Sequence, residues 1–233
     1  MKFCLLMAMA LLPMCVAAVK PQESVILLHG LCRSSQSMIP MQHALSQAGF
    51  QVLNLDYPSR SASIEKLSDD AIGSAVNDCQ RQGATKINFV THSLGGILVR
   101  SYLARHSIPN LGRVVMLGPP NQGSEVVDKL GLLWLFKKLN GPAGNELDTG
   151  KNSTPNRLGP ANFPVGIIAG DRSINWINSL MIPGPDDGKV AVERTKLAGM
   201  TDHLVIHSAH PFLMRNRTAI RQTIHFLRDG SFE

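Results

Sequence analysis

The chain has little of three things: aromatic side chains, charge and cysteine. Phe, Trp and Tyr make up 5% of its 233 residues. They do not alternate with the cations of the densest basic group, Arg215, Arg217, Arg221 and Arg228, as a surface for stacking nucleic-acid bases would need. Charged residues reach 17% against 44% hydrophobic ones, a balance that leaves enough apolar material for a core and excludes a disordered chain. The apolar run from Phe3 to Leu12 falls well short of the ~20 residues that span a bilayer, which argues against an uncleaved membrane anchor. No Cys pair stands at metal-ligand spacing to join a His pair in a zinc site, and neither internal repeats nor low-complexity tracts occur. No metal and no cofactor is therefore expected, although a structural calcium bound through oxygen ligands would leave no fixed trace in the sequence.

What is present suits one domain. The net charge of +6 and a sequence pI near 9.4 raise the question of nucleic acid. The excess is diffuse, however, and its densest group, Arg215, Arg217, Arg221 and Arg228, reads as the solvated face of a C-terminal helix. Nucleic acid is not an expected partner. Lys2, the apolar run, Pro13 and the small residues Val16, Ala17 and Ala18 form a secretory signal pattern over residues 1–18. Residues 19–233 then form the domain, and the protein is expected to be exported, periplasmic or secreted. A lipoprotein signal at Cys15 fits less well, because Met14 stands where a small residue is needed. Removal of the segment takes Cys4 and Cys15 with it and leaves Cys32 and Cys79 in an oxidising compartment. A disulfide is open to them, but two small buried thiols are the simpler expectation.

Short β-branched runs then alternate with longer amphipathic ones, the pattern of a mostly parallel sheet with helices on both faces. Strands are expected at Ser24–Leu28, Gln51–Leu55, Lys86–Val90, Arg113–Leu117, Val165–Ala169 and His203–Ile206. The clearest helices are Gln36–Gln47, Ile64–Gln82, Leu94–His106 and Phe212–Arg228, three of them closed by Gly49, Gly83 and Gly230 and the other stopped before Pro109. From Pro119 to Pro164 the rhythm breaks. That stretch is rich in Gly, Pro and Asn, holds no convincing strand, and contains the apolar run Leu130–Phe136 followed by Lys137 and Lys138. Such a run must be covered by the core, a substrate or a lipid surface, and a long excursion of this kind, over about 121–163, is expected to be a lid.

The strongest chemical signal is Phe89-Val-Thr-His-Ser-Leu-Gly-Gly-Ile97, with Ser93 where a β-rich run meets a helix-forming one. A serine on such a turn is lifted clear of the sheet beside the positive end of a helix. The tight turn needs small neighbours, which Gly95 and Gly96 supply. Thr91 departs from the pattern by standing where G-x-S-x-G has its first glycine. Val25-Ile-Leu-Leu-His-Gly-Leu31 ends in a loop that Gly30 allows to turn in close, so the backbone N–H groups of Leu31 and Leu94 are the expected oxyanion donors. His29 is read as shaping that loop and not as a base.

A serine nucleophile needs a base, and the base an acid. In a strand-turn-helix architecture of this kind both follow the serine, acid before histidine. Of His106, His203, His207, His210 and His225, the loop residue His210, in Ser208-Ala-His-Pro211, is best placed, with His207 in reserve. For the acid, Asp171 after the fifth strand and Asp187 in Gly184-Pro-Asp-Asp-Gly-Lys-Val190 are evenly matched by position.

Together, His29-Gly30-Leu31, Thr91-His-Ser-Leu-Gly-Gly96, Asp187-Gly-Lys-Val190 and the late His210 resemble the bacterial α/β-hydrolase lipases and esterases over nearly all of residues 19–233. The resemblance implies an α/β-hydrolase fold with a lid-like insertion and a serine hydrolase that cleaves carboxylic esters through an acyl-enzyme. It also implies Asp187 as the acid, because related lipases carry theirs in an Asp-Gly-x-Val turn roughly twenty residues ahead of the histidine, leaving Asp171 or Asp186 to structural work. Thr91 and the short chain set the sequence apart from large secreted lipases. The expected partner is a small-molecule or lipid ester, with transient contact to a membrane surface and no obligate protein partner. An acyltransferase or thioesterase would use the same triad; a non-catalytic binding protein on this scaffold, or a membrane-associated module resting on Leu130–Phe136, would not.

Overall fold

A computed structural model describes residues 22–233. The signal pattern at 1–18 lies outside the described residues. Six parallel strands form one sheet in the order β2-β1-β3-β4-β5-β6: β1 Ser24–Leu28, β2 Gln51–Leu55, β3 Ile87–His92, β4 Leu111–Leu117, β5 Val165–Gly170 and β6 Asp202–Ile206. β1 and β2 start and end where the sequence places them; β3 differs at both ends and the others at one, by one or two residues.

Alternation along the strands divides the core in two. Ile26, Leu28, Phe89, Met116 and Ile167 point to the face covered by α2 (Ile64–Arg81) and α3 (Leu94–Leu103). Val25, Leu27, Val90, Val115 and Ile168 point to the face covered by α1 (Ile39–Gln47) and the last helix, Arg217–Asp229. A strand buried on both faces reads as a continuous apolar run, and so β1 and β5 nearly do, whereas β3 is buried although it carries Asn88, Thr91 and His92. The chain leaves β1 toward one edge of the sheet and returns at β3 toward the other. That reversal opens a crevice at the strands' carboxyl ends, where open α/β sheets bind their ligands.

Three expected helices change at their ends. The first begins as a 3-10 turn, Ser35–Met38, before α1 takes over behind Pro40. α3 stops at Leu103, and the chain tightens so that the N–H groups of Arg105 and His106 both donate to the Tyr102 carbonyl. The C-terminal helix is split. His210–Arg215 is a 3-10 turn, and Asn216 then caps a new helix, its side-chain oxygen accepting from the N–H groups of Thr218 at 2.9 Å and Ala219 at 3.1 Å. The four arginines of this region are exposed, as a solvated face requires.

The excursion between β4 and β5 carries α4 (Glu125–Leu130), α5 (Trp134–Asn145) and α6 (Thr154–Arg157), and no strand. The apolar run does not form one helix, because it is broken between Leu130 and Trp134, and a second break falls at Gly141, whose φ of +67° is open to glycine. The excursion is tied down at its roots. The Arg100 guanidinium, buried in α3, donates to the carbonyls of Asn121, Pro155 and Gly159. Burial lowers its pKa to about 10, which still leaves it a cation at neutral pH. Glu146 accepts from the Ile64 N–H at the start of α2 and from the Thr154 hydroxyl. Beyond β5 lie α7 (Trp176–Ser179) and α8 (Val192–Thr195), and the C-terminal helix is α9. Cys32 and Cys79 are both free thiols; Cys79 is buried as expected, but Cys32 is exposed, because it follows Gly30 on the turn after β1.

Candidate active site

Parallel pairing of β1 and β3 sets Leu28 opposite Thr91, so the turn after β1 lies beside the turn after β3. Ser93 occupies that second turn with φ 53° and ψ −121°, and the helical run of α3 begins at the next residue. A non-glycine residue in this region is strained by about 1–3 kcal/mol and persists only where its surroundings hold it. Here they do: the Ser93 N–H donates to the Leu117 carbonyl, and the neighbours have no room for side chains. A Cβ at Gly95 would stand 2.7 Å from the Leu28 carbonyl oxygen, and one at Gly30 2.7 Å from His92 Nδ1. Thr91 fits where a glycine was expected because Gly96 leaves the space: a Cβ there would lie 3.3 Å from Thr91 Oγ1.

Two turns further along the sheet edge, the chain delivers a carboxylate and an imidazole. The Asp187 side chain is fully buried, and its Oδ1 accepts from the N–H groups of Lys189 at 3.0 Å and Val190 at 2.9 Å. Its Oδ2 lies 2.6 Å from His210 Nδ1, and the His210 N–H donates to the Asp187 carbonyl at 2.9 Å. The carboxylate's two oxygens are thus committed, one to its own turn and one to the ring. That arrangement gives the proton of the imidazole to Nδ1 and leaves Nε2 basic. Gly118 lies under the pair; a Cβ there would stand 3.0 Å from Asp187 Oδ2 and 3.1 Å from His210 Nδ1.

Ser93 and His210 both line a cavity of about 320 Å³, walled by Leu31, Val126, Val127, Phe136, Leu147 and Val190. Among the described residues the Ser93 hydroxyl has no hydrogen-bonded partner of its own. Leu31 sits on the turn after β1, and Leu94 is the first residue of α3, where a backbone N–H has no intrahelical acceptor. His29 is fully buried, stacked on Tyr57 at 4.1 Å, and bonded through Nδ1 to Gly30 O, the loop-shaping place expected of it. The reserve residues, His207 and Asp171, pair with each other on the surface, 2.9 Å apart and away from the cavity. Asp186 is structural, with Oδ1 accepting from the Gly188 N–H and the Ser179 hydroxyl.

Sequence reasoning passed over His92. It is buried, its Nε2 stands 3.0 Å from the His210 carbonyl, and its ring lies 4.7 Å from that of His210. Burial, and then the charge that His210 would carry, push its pKa well below the ordinary 6.5, so it is neutral and carries its proton on Nε2. It ties the loop bearing His210 to the turn bearing Ser93. Nothing in a serine-flanking "x" position signals this. Among the described residues no group of three or more His, Cys, Asp or Glu side chains gathers as a metal site would.

A family model described as the alpha/beta hydrolase fold matches residues 23–157. No curated protein sequence matches the chain. Among solved structures, the mature form of a lipase from Bacillus licheniformis superposes with a TM-score of 0.73 at 19% identity, over 89% of this chain and 93% of that one. A phospholipase, PlaB from Legionella pneumophila, gives 0.70 at 18% identity over 90% of this chain and 60% of its own. A metagenomic carboxyl esterase gives 0.64 at 17% identity, over 82% and 65%. At such identities the likeness is one of fold.

Proposed function

The chain belongs to the α/β-hydrolase family, and we propose that it is a serine hydrolase of carboxylic esters. The observation that carries this reading is the buried Asp187–His210 pair opening onto the same cavity as the strained Ser93. Fold alone would not suffice, since it hosts many chemistries.

In the proposed reaction the ester carbonyl enters the cavity with its oxygen toward the backbone N–H groups of Leu31 and Leu94. Ser93 Oγ attacks the carbonyl carbon while His210 Nε2 takes its proton, and Asp187 holds the resulting imidazolium through Nδ1–H. The two N–H donors and the positive end of α3 stabilise the tetrahedral oxyanion. Collapse expels the alcohol, protonated by His210, and leaves an acyl group on Ser93. Water, deprotonated by the same histidine, then releases the acid. The cavity joins an apolar wall of Leu31, Val126, Val127, Phe136, Leu147 and Val190 to the polar Arg33, Asn140 and Lys189, which suits an ester with an apolar acyl or alcohol group. In this reading α4 and α5 act as a lid, residues 1–18 direct export to the periplasm or medium, and residues 19–233 are the mature domain.

The test is hydrolysis of p-nitrophenyl esters of graded acyl length by the protein and its Ser93→Ala variant. Turnover that is lost in the variant supports the reading, and the preferred length measures the pocket. Equal release by both proteins overturns it by removing Ser93 from the chemistry, and none by either overturns it in favour of a transferase with a specialised acyl donor or a non-catalytic binding protein.

A further inference from the structure

Large apolar side chains left in solvent are concentrated in two short segments. Leu132, Leu133, Trp134, Leu135 and Leu139 are exposed in and before α5, with Leu132 at 86% and Trp134 at 71%. Ile174, Trp176, Ile177 and Leu180 are exposed in and around α7, with Trp176 at 72% and Leu180 at 75%. Only Val205 and Phe212 elsewhere join them among the described residues. The two segments rise from one base, a small cluster in which Val126, Ile182 and Ala191 are buried and Leu130, Phe136 and Met181 pack against them. Val126 and Phe136 also line the catalytic cavity, so the base from which both tips rise is part of its wall.

Charge singles out the occupant. No Asp or Glu occurs from residue 129 to 145 or from 172 to 185, whereas Lys129, Lys137, Lys138 and Arg172 do. Beside α5 an open groove is lined by Arg33, Arg60 and Lys138 with Trp134, Leu135 and Leu139, and by no carboxylate. Asp56, next to the groove-lining Tyr57, accepts from the Ser35 N–H instead. Among the described residues these three cations enter no ion pair. Lys138 instead sits 5.8 Å from the Trp134 ring, and Arg60 donates to the Leu139 carbonyl. Exposed indoles and leucines flanked by unpaired cations are the composition of a surface that enters the headgroup layer of a negatively charged bilayer.

We propose that the two apolar tips and the Arg33/Arg60/Lys138 groove dock the protein on an anionic phospholipid surface, with the catalytic cavity opening toward the membrane. Indoles and leucines enter the interface, and the three cations meet lipid phosphates. The inference does not depend on the chemistry of Ser93.

Flotation with phosphatidylcholine vesicles, with and without phosphatidylglycerol, tests it, using the purified protein throughout. Wild type should float with phosphatidylglycerol vesicles and be released by salt. Arg60→Ser with Lys138→Ser should weaken that binding by about fivefold for each cation lost and abolish the preference for phosphatidylglycerol. Trp134→Ser with Trp176→Ser should weaken binding to both vesicles about tenfold. Both variants should melt where wild type does, since each residue is exposed. Ser93→Ala should float like wild type, which separates this proposal from the hydrolase reading: docking can stand without turnover, and turnover without docking. Failure of wild type to float, variants that float as well as wild type, or a stable dimer in which Trp134 and Trp176 are shielded from a fluorescence quencher would each overturn the proposal.

Discussion

His207 and Asp171 repeat on the open surface the pairing that His210 and Asp187 make in the interior: Nδ1 to carboxylate oxygen is 2.9 Å in one and 2.6 Å in the other. The difference lies in the surroundings. The outer pair is held in water, where an ion pair contributes little, whereas Asp187 is sealed and its second oxygen is bound by two backbone N–H groups. Asp187→Asn should therefore lower kcat on p-nitrophenyl esters on the order of ten-thousand-fold. Asp171→Asn and His207→Ala should leave it within about twofold, as surface changes do. A crippled Asp171→Asn would transfer the acid's role to the outer pair.

Ser93 is held in a backbone conformation that glycine adopts freely. Ser93→Gly should abolish ester turnover and raise the unfolding free energy by about 1 kcal/mol, the relieved strain less the added freedom of the unfolded chain. Chemical denaturation of the two proteins measures this. A variant less stable than wild type would mean that the turn is not strained.

Gly118 leaves no room under the acid and base. Gly118→Ala should displace the Asp187–His210 pair and lower kcat about a hundredfold while KM changes little, because misplacement by a fraction of an ångström acts on the reacting geometry and not on substrate binding. A rise in KM with kcat intact would count against that.

Burial lowers the pKa values of His29, His92 and His203, that of His92 most. In the unfolded chain each takes up a proton near pH 6.5; in the folded chain each stays neutral to lower pH. The unfolded state thus binds more protons below about pH 6.5, and stability, fully present above it, falls as the pH falls. For His92 the loss should approach about 1.4 kcal/mol per pH unit until its folded pKa is reached. Thermal melts from about pH 8 down to 5 should show a falling midpoint, less steep in His92→Gln. An unchanged slope in that variant would mean that His92 is not the buried neutral group.

Much of this was legible because it is local. A β-branched run, a serine and paired glycines place Ser93 without knowledge of the rest of the chain, and Gly230 ends α9 with φ +88°, a conformation that glycine adopts freely. What was not legible depends on distant neighbours. His92 is explained only by the carbonyl of His210, 118 residues away. Position in the chain left Asp171 and Asp187 even and only the family resemblance favoured Asp187; that Asp187 is buried while Asp171 is partly open to solvent depends on contacts far along the chain. The apolar run at residues 130–136 is evident in the sequence, but nothing there joins it to residues 174–180, because only the shared base of Val126, Phe136 and Ile182 brings them together.

Arg100 closes the excursion upon itself, holding Asn121 at one root and Pro155 and Gly159 at the other from the helix that begins beside Ser93. The stretch between is then a loop whose ends do not register its length. Doubling it adds only about 0.6 kcal/mol of closure entropy. The segment can therefore lengthen or shorten at little cost in stability while the sheet that carries Ser93 and His210 stays as it is.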